Sequence, residues 1–249
     1  MKEHILEFSK KLIALNTRPE NKKELSLLLE ILTQELKEYT IFHFEENGVQ
    51  SILVTNVSQI PEKFRLLLNS HLDIIPAKQE QFIPRVQDGK LYGAGAMDMK
   101  ANLTAALYAF KKYAKEVKYP LAFQLVTDEE TGWYHGTKYQ VKKGIKADFV
   151  LATEPTNFHI VHQAKWVLQC KILCWGKTAH SAYPWNGENA LEKMLQFLDI
   201  FRHTFQNPWE NTWKTTYNLA RIEGPDYGYN KIPDTCSVKI DIHLTPEDA

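Results

Sequence analysis

The sequence predicts an α/β fold with a mainly parallel sheet and flanking helices, followed by a smaller α+β unit. Three observations predict it. Continuous apolar runs at 64–70 (FRLLLNS), 121–127 (LAFQLVT) and 149–153 (FVLAT) fit strands buried on both faces of a sheet. Helical patterns alternate with these runs, as they do in βαβ units. The character changes after Glu154-Pro155-Thr156, which divides the chain into 1–156 and 157–249.

The elements follow in order. Residues 4–15 and 21–38 place apolar residues at helical spacing (Leu25, Leu28, Leu29, Leu32, Leu36) and read as amphipathic helices. Residues 40–44 and 51–57 read as strands. The polar stretch 75–90 contains Pro76 and Pro84 and ends in Asp88-Gly89, so it reads as a loop over the edge where His71 emerges. Residues 101–113 form a helix of small and apolar residues suited to packing on the sheet. Residues 133–143 read as another helix, with Gly144 as its stop. Beyond the boundary, 159–175 reads as a partly alternating strand pair, 186–205 as an amphipathic helix, and 215–222 and 236–244 as strands. Thr245-Pro246-Glu247-Asp248 carries helix-opening signals just before the sequence stops, as expected of a truncated polypeptide.

Bulk properties narrow the function. A chain of 249 residues can bury about 70–75% of its unfolded surface. Lys+Arg and Asp+Glu both number 30, so no charge excess suits nucleic acid or an anionic membrane surface. No run approaches the roughly 20 apolar residues of a membrane span. Met1-Lys2-Glu3-His4 leads into no signal-peptide core. These features point to a soluble, cytoplasmic chain. Cys170, Cys174 and Cys236 make no disulfide framework and read as buried, reduced thiols.

The chemistry lies in four segments, each at the end of an apolar, strand-like run: His71-Leu72-Asp73, Asp98, Glu129-Glu130 and Glu154. In open α/β sheets ligands bind beyond the carboxyl ends of the strands, and imidazole with carboxylates is a donor set for divalent transition metals. Each piece has a plainer reading. His71-Leu72-Asp73 could be a surface pair, Asp128 a helix cap with acids behind it, and Glu154-Pro155 a strand exit. Together they would be several coincidences on one sheet edge. A dinucleotide loop at Gly93-Ala94-Gly95-Ala96 fails, because the third glycine position is Asp98. A metal-free pair of acids, as in glycosidases, would leave His71 without a role.

The blocks SHLD (70–73), LYGAGAMDMK (91–100), VTDEETG (126–132), ATEPT (152–156) and GKTAHSAYP (176–184) resemble those of the zinc-dependent aminoacylase and carboxypeptidase family of metallopeptidases. That family includes acetylornithine deacetylase, succinyl-diaminopimelate desuccinylase and glutamate carboxypeptidase. The resemblance implies a zinc-exopeptidase-like sheet domain and a ferredoxin-like lid at 157–249 through which homodimers form. It implies two zinc ions, with cobalt or manganese as alternatives. His71 and Glu154 would bind the first, Glu130 the second, and Asp98 would bridge them. Asp73 would orient His71 from behind, and Glu129 would be the general base. Asp98–Met99 would be a non-proline cis peptide. His180 would stabilise the oxyanion, and Asn230 in Asn-Lys-Ile-Pro (230–233) would touch substrate. The implied substrate is an N-acyl amino acid or small peptide, cleaved at its amide bond by metal-activated water.

The sequence departs from the family pattern in three places. Gly93-Ala94-Gly95 stands where Gly-Arg-Gly is usual, and Ala101 where glycine is usual. The family's last histidine ligand comes from a segment after the lid, and this sequence stops before it. His135, His159 and His162 stay open as substitutes, whereas His243 reads as structural. A non-catalytic relative that works as a metal-binding or association module is the rival reading.

Overall fold

The computed structural model describes residues 2–248. They fall into two compact units that divide between His159 and Ile160.

In the first unit, α1 (Lys2–Ile13) and α2 (Lys22–Glu35) turn Leu12, Leu25, Leu28, Leu29 and Leu32 inward. Asn21 caps α2 through its side-chain oxygen. β1 (Thr40–Glu46) and β2 (Val49–Thr55) form a hairpin around Asn47-Gly48, both at positive φ, the two-residue turn this dipeptide favours. β3 (Phe64–His71) follows. The stretch expected as a plain loop instead holds a short 3-10 turn, Gln79–Phe82, and a second small hairpin. Its strands are β4 (Arg85–Gln87) and β5 (Lys90–Tyr92). Asp88-Gly89 makes that turn with the same positive φ pair. Next come α3 (Ala101–Tyr113), β6 (Leu121–Val126), α4 (Thr137–Lys142) and β7 (Ala147–Ala152). The helix expected from residue 133 begins only at Thr137, because Trp133 sits at positive φ and interrupts the turn.

The five-stranded sheet runs β1-β2-β6-β3-β7. It is mixed: β2 pairs antiparallel with β1 and β6, while β6, β3 and β7 run parallel. The parallel trio matters for function, since it sends the carboxyl ends of β3, β6 and β7 to one edge. Both faces of β6 are covered. Leu121, Phe123 and Leu125 pack with leucines of α1, α2 and α3, and Ala122 packs with Leu53, Phe64, Leu67 and Ile145 on the other face.

The second unit places one helix, α5 (Ala190–Thr204), among three strands, β8 (Trp166–Trp175), β9 (Thr216–Glu223) and β10 (Thr235–Leu244). All pairing is antiparallel, in the order β8-β10-β9. Asn189 caps α5 by accepting from the Leu191 and Glu192 amides. Met194 and Leu198 of the helix pack on Cys236, Val238 and Ile240 of β10. The strand pair expected over 159–175 is a single strand, β8. Ile160 and Val161 are exposed and find no ladder partner, so their apolar alternation builds nothing. Cys236 is buried, Cys170 and Cys174 are partly so, and all three are free thiols. Residues 245–248 form a turn in which Asp248 N–H donates to the Thr245 carbonyl. Among the described residues no helix is long and apolar enough to cross a membrane.

Candidate metal centre

Three parallel strand ends build the centre. β3 closes on His71, whose ring is 1% exposed. The next residue, Leu72, still bonds across to β6, its N–H donating to the Val126 carbonyl at 2.9 Å. β6 runs through Thr127 and Asp128 into a short turn at Glu129–Thr131. β7 passes into Thr153, whose N–H donates to Asn69 and whose hydroxyl lies 2.6 Å from that of Ser70, and then into Glu154. Asp98, expected at the end of a strand-like run, arrives instead from a tight turn before α3. Gly95 opens that turn at φ 72°, where a Cβ would come within 2.8 Å of Ile74. The Asp98–Met99 peptide is cis.

His71 is the hub. Its Nε2 lies 3.0 Å from Asp98 Oδ1 and 3.8 Å from Glu154 Oε1. Its Nδ1 lies 3.0 Å from the main-chain oxygen of Asp73, and the Asp73 carboxylate stands farther off at 3.5 Å. The ring is therefore aimed chiefly by a carbonyl. The Asp73 carboxylate, fully buried, is engaged elsewhere: it accepts the Glu129 N–H at 3.2 Å and the Glu130 N–H at 2.8 Å. One residue thus fixes both the imidazole and the two-glutamate turn.

Two three-donor groups result, each with its ligand atoms within 4.8 Å of one another: His71 with Asp98 and Glu154, and His71 with Glu129 and Glu130. No such group among the described residues joins Asp98 to Glu130. Asp98 is half exposed, so its carboxylate has room to turn. His135, His159 and His162 belong to no donor group. His135 is instead paired with Glu46 at 3.0 Å, and His243 with Asp241 at 3.0 Å.

Electrostatics fit a cation. No lysine or arginine among the described residues pairs with Asp98, Glu129, Glu130 or Glu154, so one imidazole faces four acids. Burial disfavours charge on His71, yet hydrogen bonds that its ring donates to the Asp73 and Asp98 carboxylates, with the charges of Asp73 and Glu154, push it up to about 11. Burial first, then Asp98 and Glu129 against the pull of His71, raises Glu154 to about 7. Glu129 and Glu130 are raised by burial and by neighbouring carboxylates. His71 lowers Asp98 through their hydrogen bond. Such crowded acids share one proton-holding imidazole where a divalent ion would satisfy them all. Oxygen and imidazole donors suit zinc, cobalt or manganese.

Beside Glu154 a cavity of about 800 Å³ is lined by Leu151, Met97, Asn102, Ala105 and Phe158. His180 and Asn230 lie in the second unit, next to each other. Residues 180 and 231 form a bridge, and the Ser181 N–H donates to the Asn230 carbonyl at 2.9 Å. His180 Nδ1 accepts the Ala182 N–H at 3.1 Å. Three neighbours of the centre, Met99, Ser70 and Thr153, take supporting places that the sequence reading did not assign. His71 N–H points at Met99 Sδ, 3.2 Å away, and the Ser70 and Thr153 hydroxyls tie β3 to β7.

Residues 67–244 match the model of peptidase family M20/M25/M40. Among curated proteins, the chain is 28% identical over 183 residues to the succinyl-diaminopimelate desuccinylase of Nautilia profundicola, covering 68% of this chain and 49% of that one. The enzyme of the same name from Wolbachia pipientis is 27% identical over 223 residues, 82% of this chain and 55% of its own. The chain spans about half the length of these curated relatives. Among solved structures, an M20 family metallo-carboxypeptidase from Sulfolobus solfataricus superposes with a TM-score of 0.77 at 16% identity, over 97% of this chain and 71% of that one. A tripeptidase from Staphylococcus aureus gives 0.67 at 20% identity, over 99% and 68%. At these identities the structural likeness speaks for the fold.

Proposed function

This chain belongs to peptidase family M20/M25/M40, and from that premise we propose that it is a metal-dependent hydrolase of an amide bond in an N-acyl amino acid or small peptide. The supporting observation is the pair of three-donor groups that share the buried His71 at one sheet edge. His71, Asp98 and Glu154 would hold one divalent ion, zinc being the first choice, and Glu130 the second, towards which the half-exposed Asp98 carboxylate would have to turn. When bound, such a pair lowers the pKa of water towards about 7 and offsets charge developing on the scissile carbonyl.

The protein groups supply the rest. Glu129 is the general base: it takes the proton of the attacking water and returns it to the leaving nitrogen. Burial and neighbouring acids raise its carboxyl above the ordinary range, which brings its proton affinity closer to neutrality, where a base and acid in turn works best. Asp73 holds Glu129 and Glu130 by their amides, so the base need not be ordered during reaction. His180 would stabilise the oxyanion. Its Nδ1 is occupied as an acceptor, which leaves the proton on Nε2 free to donate. Asn230, beside it, would contact substrate. Residues 157–249 would form a lid that pairs two copies, for which the exposed Leu195 and Ile200 of α5 offer apolar surface. N-succinyl amino acids are the first substrates to try, after the name of the curated relatives.

The test is Zn²⁺ and Co²⁺ titration of the 249-residue chain, with hydrolysis assays on N-succinyl and N-acetyl amino acids and dipeptides. Glu129→Ala is expected to keep cation binding and to cut hydrolysis by about 100-fold or more. Activity surviving in that variant overturns the base assignment. A chain that binds no divalent cation overturns the whole reading, and one that binds cations but hydrolyses nothing favours an association module.

A further inference from the structure

The glutamate pair sits in a closed loop, and one buried carboxylate closes it. Asp128, at the exit of β6, is 3% exposed. As a residue ahead of two acids it could cap the short turn Glu129–Thr131, but its side chain makes no cap bond there. Its Oδ2 instead accepts the N–H groups of His135 at 2.8 Å and Gly136 at 3.1 Å, at the far end of the loop. Its main-chain oxygen accepts from the Trp133 N–H at 2.7 Å and the Thr131 N–H at 3.3 Å. Asp128 therefore gathers residues 131, 133, 135 and 136 onto itself.

The other oxygen, Oδ1, has no hydrogen-bond partner. It lies where Gly136 lacks a side chain, since a Cβ there would stand 2.3 Å from it and 2.9 Å from Val126. A buried carboxylate with one oxygen unpartnered carries a desolvation cost that a smaller neutral residue would avoid. Two charge-assisted bonds to main-chain donors offset that cost. Both close the loop, and between its ends the Glu129 and Glu130 amides meet Asp73.

We infer that Asp128 is a positioning residue: by cinching residues 128–136 into one loop it holds the Glu129 and Glu130 amides against Asp73 and so sets both carboxylates. Its functional meaning rests on the roles proposed above for those glutamates, whereas the clamp itself rests on geometry alone.

The experiment compares Asp128→Ala, Asp128→Asn and Gly136→Ala with the parent 249-residue chain. Amide hydrogen exchange is read at Glu129, Glu130, His135 and Gly136, with β10 amides as control, alongside Co²⁺ affinity. In Asp128→Ala all four amides are expected to exchange at least about tenfold faster with β10 unchanged. Co²⁺ affinity falls about 10–100-fold, the usual loss when a supporting partner is removed. Asp128→Asn keeps one acceptor oxygen and recovers part of both. Gly136→Ala leaves Asp128 in place but displaces its carboxylate, and reproduces the loss. Faster exchange at His135 and Gly136 alone, with Glu129 and Glu130 still protected, overturns the inference, as does unchanged Co²⁺ affinity. Faster exchange throughout the chain, β10 included, also overturns it by marking a merely structural role. Should the parent bind no Co²⁺, the hydrolase reading fails and the exchange pattern alone decides the clamp. Should Asp128→Ala not fold, the Asn and Gly136 variants carry the same comparison.

Discussion

β6 and β7 deliver acids to the same sheet edge from opposite surroundings. Every residue of β6 is buried, between β2 and β3 and under helices on one face. β7 is flanked only by β3 among the described residues, and Phe149 and Leu151 on it are 62% and 46% exposed. The difference carries through to the site. Glu129 and Glu130, which follow β6, are held by two amide bonds to a buried Asp73. Glu154, which follows β7, is held through Thr153 on β3 and by side-chain contact with Asp98 and His71, which are themselves members of the donor cluster. One half of the donor cluster is preorganised by a packed frame, and the other relies on the ion it would bind.

The sharpest way to break this contrast is to cut into both strands. Phe123→Ala in β6 is expected to cost about 3–5 kcal/mol, as for a fully buried aromatic that leaves a cavity. Leu151→Ala in β7 should cost less than about 1 kcal/mol. Urea denaturation of the two variants gives both numbers, and equal losses would mean that β7 is as structural as β6. Next in size is the hub. His71 belongs to both donor groups, so His71→Ala should weaken Zn²⁺ or Co²⁺ binding by at least about 100-fold, more than the loss of a residue that only supports a ligand. Glu154→Gln keeps an oxygen donor but removes its charge from one group only, and should cost nearer tenfold. Calorimetric titration ranks them, and a larger loss at Glu154 would place the weight of the site on the β7 side.

Much of this architecture is legible in the sequence, for physical reasons. A run such as FRLLLNS must be covered on both faces, so it becomes an inner strand, and the polar residue that ends it must meet solvent or a ligand at the sheet edge. That logic finds His71, Glu129, Glu130 and Glu154 without any contact being known. It also picks Asp98 but misplaces it, since that residue leaves a tight turn and not a strand, and the cis peptide after it comes only from the family resemblance. Sheet order is not legible, because the antiparallel place of β2 between β1 and β6 comes from packing. The β4–β5 hairpin is legible in hindsight: Asp88-Gly89 repeats the turn chemistry of Asn47-Gly48, but its strands are too short and polar to register. The late start of α4 is not legible either, since it follows from backbone that sequence pattern does not show: Trp133 at positive φ and Gly136 at φ −94°, ψ −91°, outside the helical region. Nor could sequence say that Asp73 aims the imidazole through its main-chain oxygen and spends its carboxylate on the glutamate turn.

The smallest expected effect concerns the Asp98 side of the cluster, where a second buried charge lies at the start of α3. Lys100 is fully buried and donates to the Leu15 carbonyl at 2.7 Å, with no carboxylate partner. Burial, opposed only by distant Glu24, lowers it to about 7. In the unfolded chain a lysine titrates near 10.4. Between those values the unfolded state binds the extra proton, so folding stability rises with pH, by at most about 1.4 kcal/mol per unit. Below about 7 both states are protonated and the slope from this group vanishes. Lys100→Met removes the titration, so the parent should gain about 1 kcal/mol relative to the variant between pH 7.5 and 8.5. Urea melts of both proteins at the two pH values measure that difference, in which other titrating groups cancel. Parallel pH curves would show that Lys100 stays charged inside the fold, and that the Asp98 side holds a cation of its own before any metal arrives.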